Sequence, residues 1–373
     1  ADLGLRPGAG GAARCEAAVA AAEAGSLPPS AMHVGVAQIS ANRPSEDRHC
    51  QRQVAPGLLG VGVLDGHGGW QVADWLSKAL LAAVERRLEA PEEPVEPGPD
   101  GEAPPKEVTA LEAAFGDCEA ALLRQVEAAV SSSSLHRAVR VGACALCVLA
   151  GPQHLFVANS GDCQALLLRD GRGFRISSVH NADQLEEQRR LRNAHPGEPD
   201  VFVCKGGPAG LAGLQGLAQR AFGLQPELGL TACYVKGCLQ PTRSFGDFYL
   251  KDARFCTLAP LQPPLTPPYI TAMPEVVVVP RQRGDEAVVL ASDGLWDFLD
   301  GAHVARVAHE VLPRAEEAAG PAAAAKALAQ ALVDEAVLEA AKAHGVSEEN
   351  LRKVPLGPRR RYHDDITVVV VLL

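Results

Sequence analysis

The stretch Leu58-Leu59-Gly60-Val61-Gly62-Val63-Leu64-Asp65-Gly66-His67-Gly68-Gly69 decides how this chain is read. Its first seven residues form a short apolar run, which predicts a strand covered on both faces. Asp65 ends that strand, small residues turn the chain, and an amphipathic helix starts near Trp70. A carboxylate so placed has a stiff support and stands where a cleft can open. The pattern recurs in Val288-Val289-Leu290-Ala291-Ser292-Asp293-Gly294, again with a helix after it. Asp364-Asp365 lead directly into Ile366-Thr367-Val368-Val369-Val370-Val371, and Glu46-Asp47 close a polar segment before another short strand. Taken alone, any one of these aspartates reads more readily as a turn or cap residue. Capping does not explain three strand-end aspartates, each beside Gly, Asp or Ser. Acidic groups gathered at the tips of core strands repel one another unless cations neutralise them. Hard oxygen ligands of this kind suit magnesium or manganese rather than zinc.

The 373 residues are long for one domain, at a prior of roughly 150 residues each. The acidic tips nonetheless run from Glu46 to Asp364, and a site built from both ends of a chain cannot be cut into independent halves. The expected organisation is an Ala/Gly-rich N-terminal extension over 1–30 and a single catalytic domain over 31–373. Insertions are expected near 91–106 and 205–232. Hydrophobic content of 47% with only 4% aromatics calls for an aliphatic core. A formal net charge of −10 gives nucleic-acid binding no electrostatic support. The ten cysteines lack the dense spacing of a secreted disulfide scaffold. Cys144 and Cys147 lie inside the apolar run Val141 to Ala150 and read as buried, reduced thiols. No uninterrupted apolar run reaches the roughly 18 residues of a membrane span. The chain opens Ala1-Asp2 without Met, so a targeting segment could have preceded it. The compartment stays open within the cell: cytoplasmic, nuclear or mitochondrial.

Along the chain, residues 70–90 and 107–130 read as amphipathic helices. Val72, Trp75, Leu76, Leu80, Leu81 and Val84 make the first stripe. Strands over 139–149, 155–159 and 165–168, joined by Ser160-Gly161-Asp162, suggest an antiparallel meander. A charged helix follows over 183–192. Residues 10–24 read as an Ala-rich helix, 205–230 as an insertion over one edge of the cleft, and 302–345 as strongly helical. Arg352 to Arg361 reads as a basic loop before the last strand. These alternating blocks fit an α+β layered sandwich.

Two divalent cations sharing a bridging carboxylate can turn a shared water into hydroxide near neutral pH and clamp phosphoryl oxygens in an in-line displacement. Asp65 is the natural bridge. Asp293 and Asp364 would complete one ion, and Glu46 with the carbonyl of Gly66 the other. His67, two residues from the bridge, could protonate a leaving alkoxide; the competing reading is a turn histidine facing solvent. The same chemistry could serve a different two-metal hydrolase such as a nuclease, and the acidic balance counts against that.

Asp65-Gly66-His67-Gly68-Gly69, Ser292-Asp293-Gly294-Leu295-Trp296-Asp297 and Asp364-Asp365-Ile366-Thr367 resemble signature blocks of the metal-dependent (PPM, type 2C) protein phosphatases. Glu46-Asp47, Asn159-Ser160-Gly161-Asp162 and Thr242-Arg243-Ser244-Phe245-Gly246-Asp247 resemble further blocks, in the expected order. His180-Asn181-Ala182 with Glu186-Glu187, and Pro267-Pro268-Tyr269-Ile270-Thr271-Ala272, are similar to the branch containing pyruvate dehydrogenase phosphatase. Related plant phosphatases share part of that pattern.

The resemblance implies two antiparallel β-sheets packed as a central sandwich flanked by α-helices, a four-layer αββα fold. It implies two magnesium or manganese ions per chain and hydrolysis of phosphoserine and phosphothreonine by attack of a metal-bridging water. It also implies a phosphoprotein substrate, no covalent phosphoenzyme, and a chain acting as a monomer. Glu46, Asp65, Gly66, Asp293 and Asp364 fall on the family's metal ligands, Asp47 on the residue that positions a water, and His67 on the general acid. A pseudophosphatase that scaffolds phosphoproteins is the alternative, but no primary ligand is lost. Two positions depart from the pattern. Where the family has a phosphate-holding Arg, this chain has Asn42, with Arg43 offset by one as the candidate. Where the family has an Asp serving a third ion, this chain has Val179, so two tightly held ions are expected unless Asp183 or another carboxylate takes that place.

Overall fold

A computed structural model of the protein describes residues 32–91, 103–128, 135–205, 232–259 and 261–373. The expected N-terminal extension with its Ala-rich helix, residues 92–102 of the first expected insertion and 206–231 of the second lie outside the described residues. The chain begins with β1 (His33–Ile39), β2 (Arg48–Ala55), β3 (Leu58–His67), α1 (Gln71–Glu89), α2 (Lys106–Ala128) and α3 (Leu135–Ala138). The meander β4 (Gly142–Ala150), β5 (His154–Ser160), β6 (Gln164–Arg169) and β7 (Arg172–Arg175) follows. Then come α4 (Leu185–Ala194), β8 (Phe202–Lys205), β9 (Ala232–Val235), β10 (Phe245–Gly246), α5 (Ala253–Cys256), β11 (Glu275–Pro280) and β12 (Asp285–Ala291). The last elements are α6 (Asp293–Trp296), α7 (Gly301–Ala319), α8 (Pro321–Ala343), α9 (Glu348–Lys353) and β13 (Ile366–Leu372).

Two antiparallel sheets carry the molecule. One has the order β1-β13-β12-β6-β7; the other runs β11-β5-β4-β3-β2, with β10 added beside β4. Period-2 alternation explains why they stack. In β13, Val369 and Val371 face a core shared with Val61, Val63, Leu146, Val148, Val288 and Leu290, which lies between the sheets. The alternate residues Ile366, Val368 and Val370 face the other way, onto α8 through Leu328, Leu332 and Val337. On the outer face of the six-stranded sheet, Leu64, Ala145 and Leu149 pack against Leu76 and Leu80 of α1 and Leu111 and Phe115 of α2. The outcome is the expected four layers, helix-sheet-sheet-helix.

Small residues let these layers close without aromatics. Helix α8 is Ala-rich, and a Cβ at Gly35 of β1 would lie 2.1 Å from the carbonyl carbon of Ala325. Only glycine admits so near an approach of helix to strand. Among the described residues no helix is long and apolar enough to cross a membrane.

Three local expectations change. Strand β3 does not stop at Asp65, because β4 supplies ladder partners further on: Asp65 faces Cys144, Gly66 faces Ala143 and His67 faces Gly142. The segment 352–361 is not an open loop. Arg352 and Lys353 end α9, and Pro358–Arg361 forms a 3-10 turn. Cys204 and Cys233 are joined by a disulfide across the antiparallel β8–β9 pair, a pairing that a separation of 29 residues did not announce. Cys144 and Cys147 are free and buried, as expected.

Candidate active site

The strand ends of both sheets open into one cleft of ≈ 230 Å³, lined by Asp65, Gly66, His67, Asp162, Asp293 and Asp364 among others. Asp65 and Asp162 come from the six-stranded side, near the ends of β3 and β5. Asp293 starts α6 directly after β12, and Asp364 stands two residues before β13. Carboxylate oxygens of Asp65, Asp162 and Asp293 all lie within 4.8 Å of one another. Burial, and then the charges of Asp293, Asp47, Asp162 and Asp364, hold the Asp65 carboxyl well above the usual carboxylate range. Burial followed by Asp162, Asp297 and Asp364 does the same to Asp293. Such a cluster is costly unless protonated or neutralised. Its donors are all hard oxygens, so the residues fit magnesium or manganese.

Hydrogen bonds from backbone and side chains behind them fix the carboxylates. The Asp365 carboxylate accepts from the backbone N–H of Ala41 (2.6 Å), Asn42 (2.9 Å) and Glu46 (2.7 Å), drawing the segment 41–46 onto the last strand. Burial pushes Asp365 up, but these N–H donors outweigh it and leave its carboxyl below the usual range. Asn42 Nδ2 donates to Asp364 Oδ1 at 3.0 Å. Arg360 reaches Asp364 Oδ2 at 2.9 Å and Glu46 Oε2 at 3.3 Å. Burial raises Glu46 more than Arg360 lowers it. Asp47 lies deeper, with Oδ2 accepting from the Ser292 hydroxyl at 2.7 Å, and burial pushes its carboxyl up to about 7.

His67 faces the cleft with Nε2 2.6 Å from Asp247 Oδ2, which also accepts from the Ser244 hydroxyl at 2.7 Å. Burial lowers the affinity of His67 for its proton, but the Asp247 charge and hydrogen bond outweigh it, so the net shift is upward. The pair needs room: a Cβ at Gly142 would lie 2.0 Å from Asp247 Oδ2 and 2.4 Å from His67 Nε2. A glycine is therefore required on β4 opposite His67.

Of the residues singled out from sequence, Asp65, Gly66, His67, Asp293 and Asp364 line the cleft. Glu46 joins them through Arg360, and Asp47 lies behind. Arg43 is exposed and is not among the lining residues. Val179 is half-buried outside the lining, and Asp183 Oδ1 is committed to the Cys233 N–H at 2.6 Å. The carboxylate in that quarter is Asp162. Its signal was in the sequence: Asn159-Ser160-Gly161-Asp162 also ends a strand in Asp, although it reads first as a turn. Asp247 and Arg360 were missed as well. The far wall of the cleft is formed by Tyr234 of β9 and by residues 238–241, which follow that strand.

Comparison with known proteins finds relatives of this chain. A family model described as protein phosphatase 2C matches residues 41–344. Probable protein phosphatase 2C 29 of Oryza sativa subsp. japonica is 31% identical over 359 residues, covering 91% of this chain and 78% of the relative. Probable protein phosphatase 2C 67 of Arabidopsis thaliana is 29% identical over 356 residues, covering 91% and 82%. Among solved structures, the serine-threonine phosphatase 2C from Toxoplasma gondii superposes with a TM-score of 0.58 at 17% identity, over 93% of this chain and 97% of that one. A C. elegans sex determining protein gives a TM-score of 0.59 at 17% identity, and this chain spans 65% of it. At such identities the two structures speak for the fold.

Proposed function

Because the chain belongs to the protein phosphatase 2C family, and is accordingly a metal-dependent serine/threonine protein phosphatase, we propose that its cleft works through the residues named above. Glu46, Asp65, Gly66, Asp293 and Asp364 hold two magnesium or manganese ions per chain, with Asp162 as a further carboxylate in the same cluster. The observation that carries this reading is the meeting of Asp65, Asp162 and Asp293 within 4.8 Å at the ends of strands from both sheets. When bound, the ions supply a water acidic enough to attack phosphorus and positive charge for the phosphoryl oxygens.

The protein's own groups do the rest. Asp47, held by hydrogen bonds with the Ser292 and Thr367 side chains, is the carboxylate that orients the attacking water. His67 donates Nε2–H to Asp247, so the proton it can deliver to the leaving serine or threonine oxygen is the one on Nδ1. The Asp247 carboxylate favours the doubly protonated ring that this role needs. The substrate is proposed only as a phosphoserine or phosphothreonine protein. The finer likeness to the pyruvate dehydrogenase phosphatase branch draws no support from the plant relatives. The test is phosphate release from a phosphothreonine peptide with manganese, set against the same sample with a chelator. Release that persists in chelator refutes the metal assignment; no release in manganese favours a scaffolding role.

A further inference from the structure

A phosphomonoester is a dianion, and this cleft meets it with a floor of carboxylates. Even with cations bound there, oxygens that point away from them need a donor from the protein. Among the described residues that line the cleft, one carries an arginine or lysine side chain, and that is Arg360. It stands on the 3-10 turn Pro358–Arg361, four residues before Asp364. Its Nη2 is 2.9 Å from Asp364 Oδ2, and its Nη1 is 3.3 Å from both Glu46 Oε2 and Asn42 Oδ1. The turn itself is held firmly. Arg359 donates to the carbonyls of Ser40, Arg352 and Val354, and Gly357 N–H donates to Ala41.

We propose that Arg360 is the residue that grips the substrate phosphate, in a chain where Asn42 occupies the usual place of that arginine and Arg43 is exposed outside the cleft. The proposal rests on the phosphatase reading. Its geometry is that of a fork positioned by Asn42 at the rim of the cation site. Asn42 cannot take the role itself, since its side-chain N–H groups are committed to Asp364 and Asp365. Arg360 is half-exposed, so its guanidinium can swing. Once Glu46 and Asp364 share their charge with cations, the nearest unmatched anion is the incoming phosphate. A planar guanidinium can hold two of its oxygens at once.

The test compares Arg360→Met and Arg360→Lys with the unsubstituted protein by three readouts: KM and kcat on a phosphopeptide, inhibition by inorganic phosphate, and manganese binding by calorimetry. Losing a charge-assisted hydrogen-bonding group should raise both KM and the phosphate inhibition constant of Arg360→Met roughly 10- to 100-fold. The Lys variant should fall between, and manganese affinity should be equal or higher, because a competing cation has left. Unchanged KM and phosphate inhibition in Arg360→Met would overturn the proposal. So would weakened manganese binding in both variants, which would make Arg360 a support for Glu46 and Asp364. If the unsubstituted protein itself releases no phosphate with manganese, the phosphatase reading fails first, in a different sample.

Discussion

Proton delivery turns on the contact between His67 and Asp247. A histidine acid works while protonated, so activity that depends on it is present below its pKa and lost as pH rises through it. Asp247 raises that pKa, and Asp247→Asn should therefore move the alkaline loss of phosphopeptide turnover to lower pH. An unmoved pH profile would detach Asp247 from the mechanism. His67→Ala should slow phosphoserine peptides by about 10²–10⁴-fold and aryl phosphates much less, because a good leaving group needs no proton. Equal losses on both substrates would remove His67 from the acid role. At this scale the sequence was legible wherever a residue's role follows from its immediate neighbours. Asp65, Asp293 and Asp364 each announce themselves by a strand beside an acidic tip. Asp247 does not, since it reaches His67 only because β10 pairs with β4. Arg360 does not either, because its partners Asn42 and Glu46 are 318 and 314 positions away.

Elements were more legible than residues, and the helices most of all. The stripes of α1 and α2 were readable because one face of each packs on a sheet. Helix α8 has no such stripe; its alanines pack on two sides, against β1 and β13 and against α7. What no periodicity could reveal is how near α8 lies to β1. Gly35 makes that nearness possible, so Gly35→Ala is a sharp probe. Its new Cβ would meet backbone, which cannot rotate away. Overpacking usually costs about 1–3 kcal/mol, and this substitution should fall at or above the upper end. Urea unfolding followed by circular dichroism would measure it; a cost under about 1 kcal/mol would mean that α8 can slide on the sheet. The boundaries of β3 and the 3-10 turn at 358–361 were misread for one reason. Both depend on a partner elsewhere in the chain, β4 in one case and the 41–46 segment in the other.

For the molecule as a whole, the acidic cluster makes stability depend on metal and on pH together. The carboxyls of Asp65 and Asp293 lie well above their ordinary 3.8, and Asp47 is raised to about 7. A carboxyl raised in the folded state stabilises that state fully below its unfolded pKa and ceases to do so as pH climbs through the folded value. The metal-free protein should thus lose thermal stability as pH rises from about 4 toward 7 and beyond. Asp365, shifted downward, acts oppositely, and its contribution disappears on acidification. Manganese at 100 times its Kd should restore about 2.7 kcal/mol. Asp65→Asn should flatten the metal-free slope, keep the fold, and abolish turnover. Melting curves across pH, with and without manganese, would decide this, and a steep slope retained in Asp65→Asn would move its origin elsewhere. One further consequence lies in the bond from Ala41 to Asp365, which spans 324 positions. A ribosome adding 5–20 residues per second needs roughly 15–65 s to pass from one to the other. For most of that interval the nascent polypeptide carries Glu46, Asp65 and His67, yet has no strand β13 to stand between β1 and β12. Every newly made copy therefore passes through a silent period before it can remove a single phosphate, and its birth is timed by its own topology.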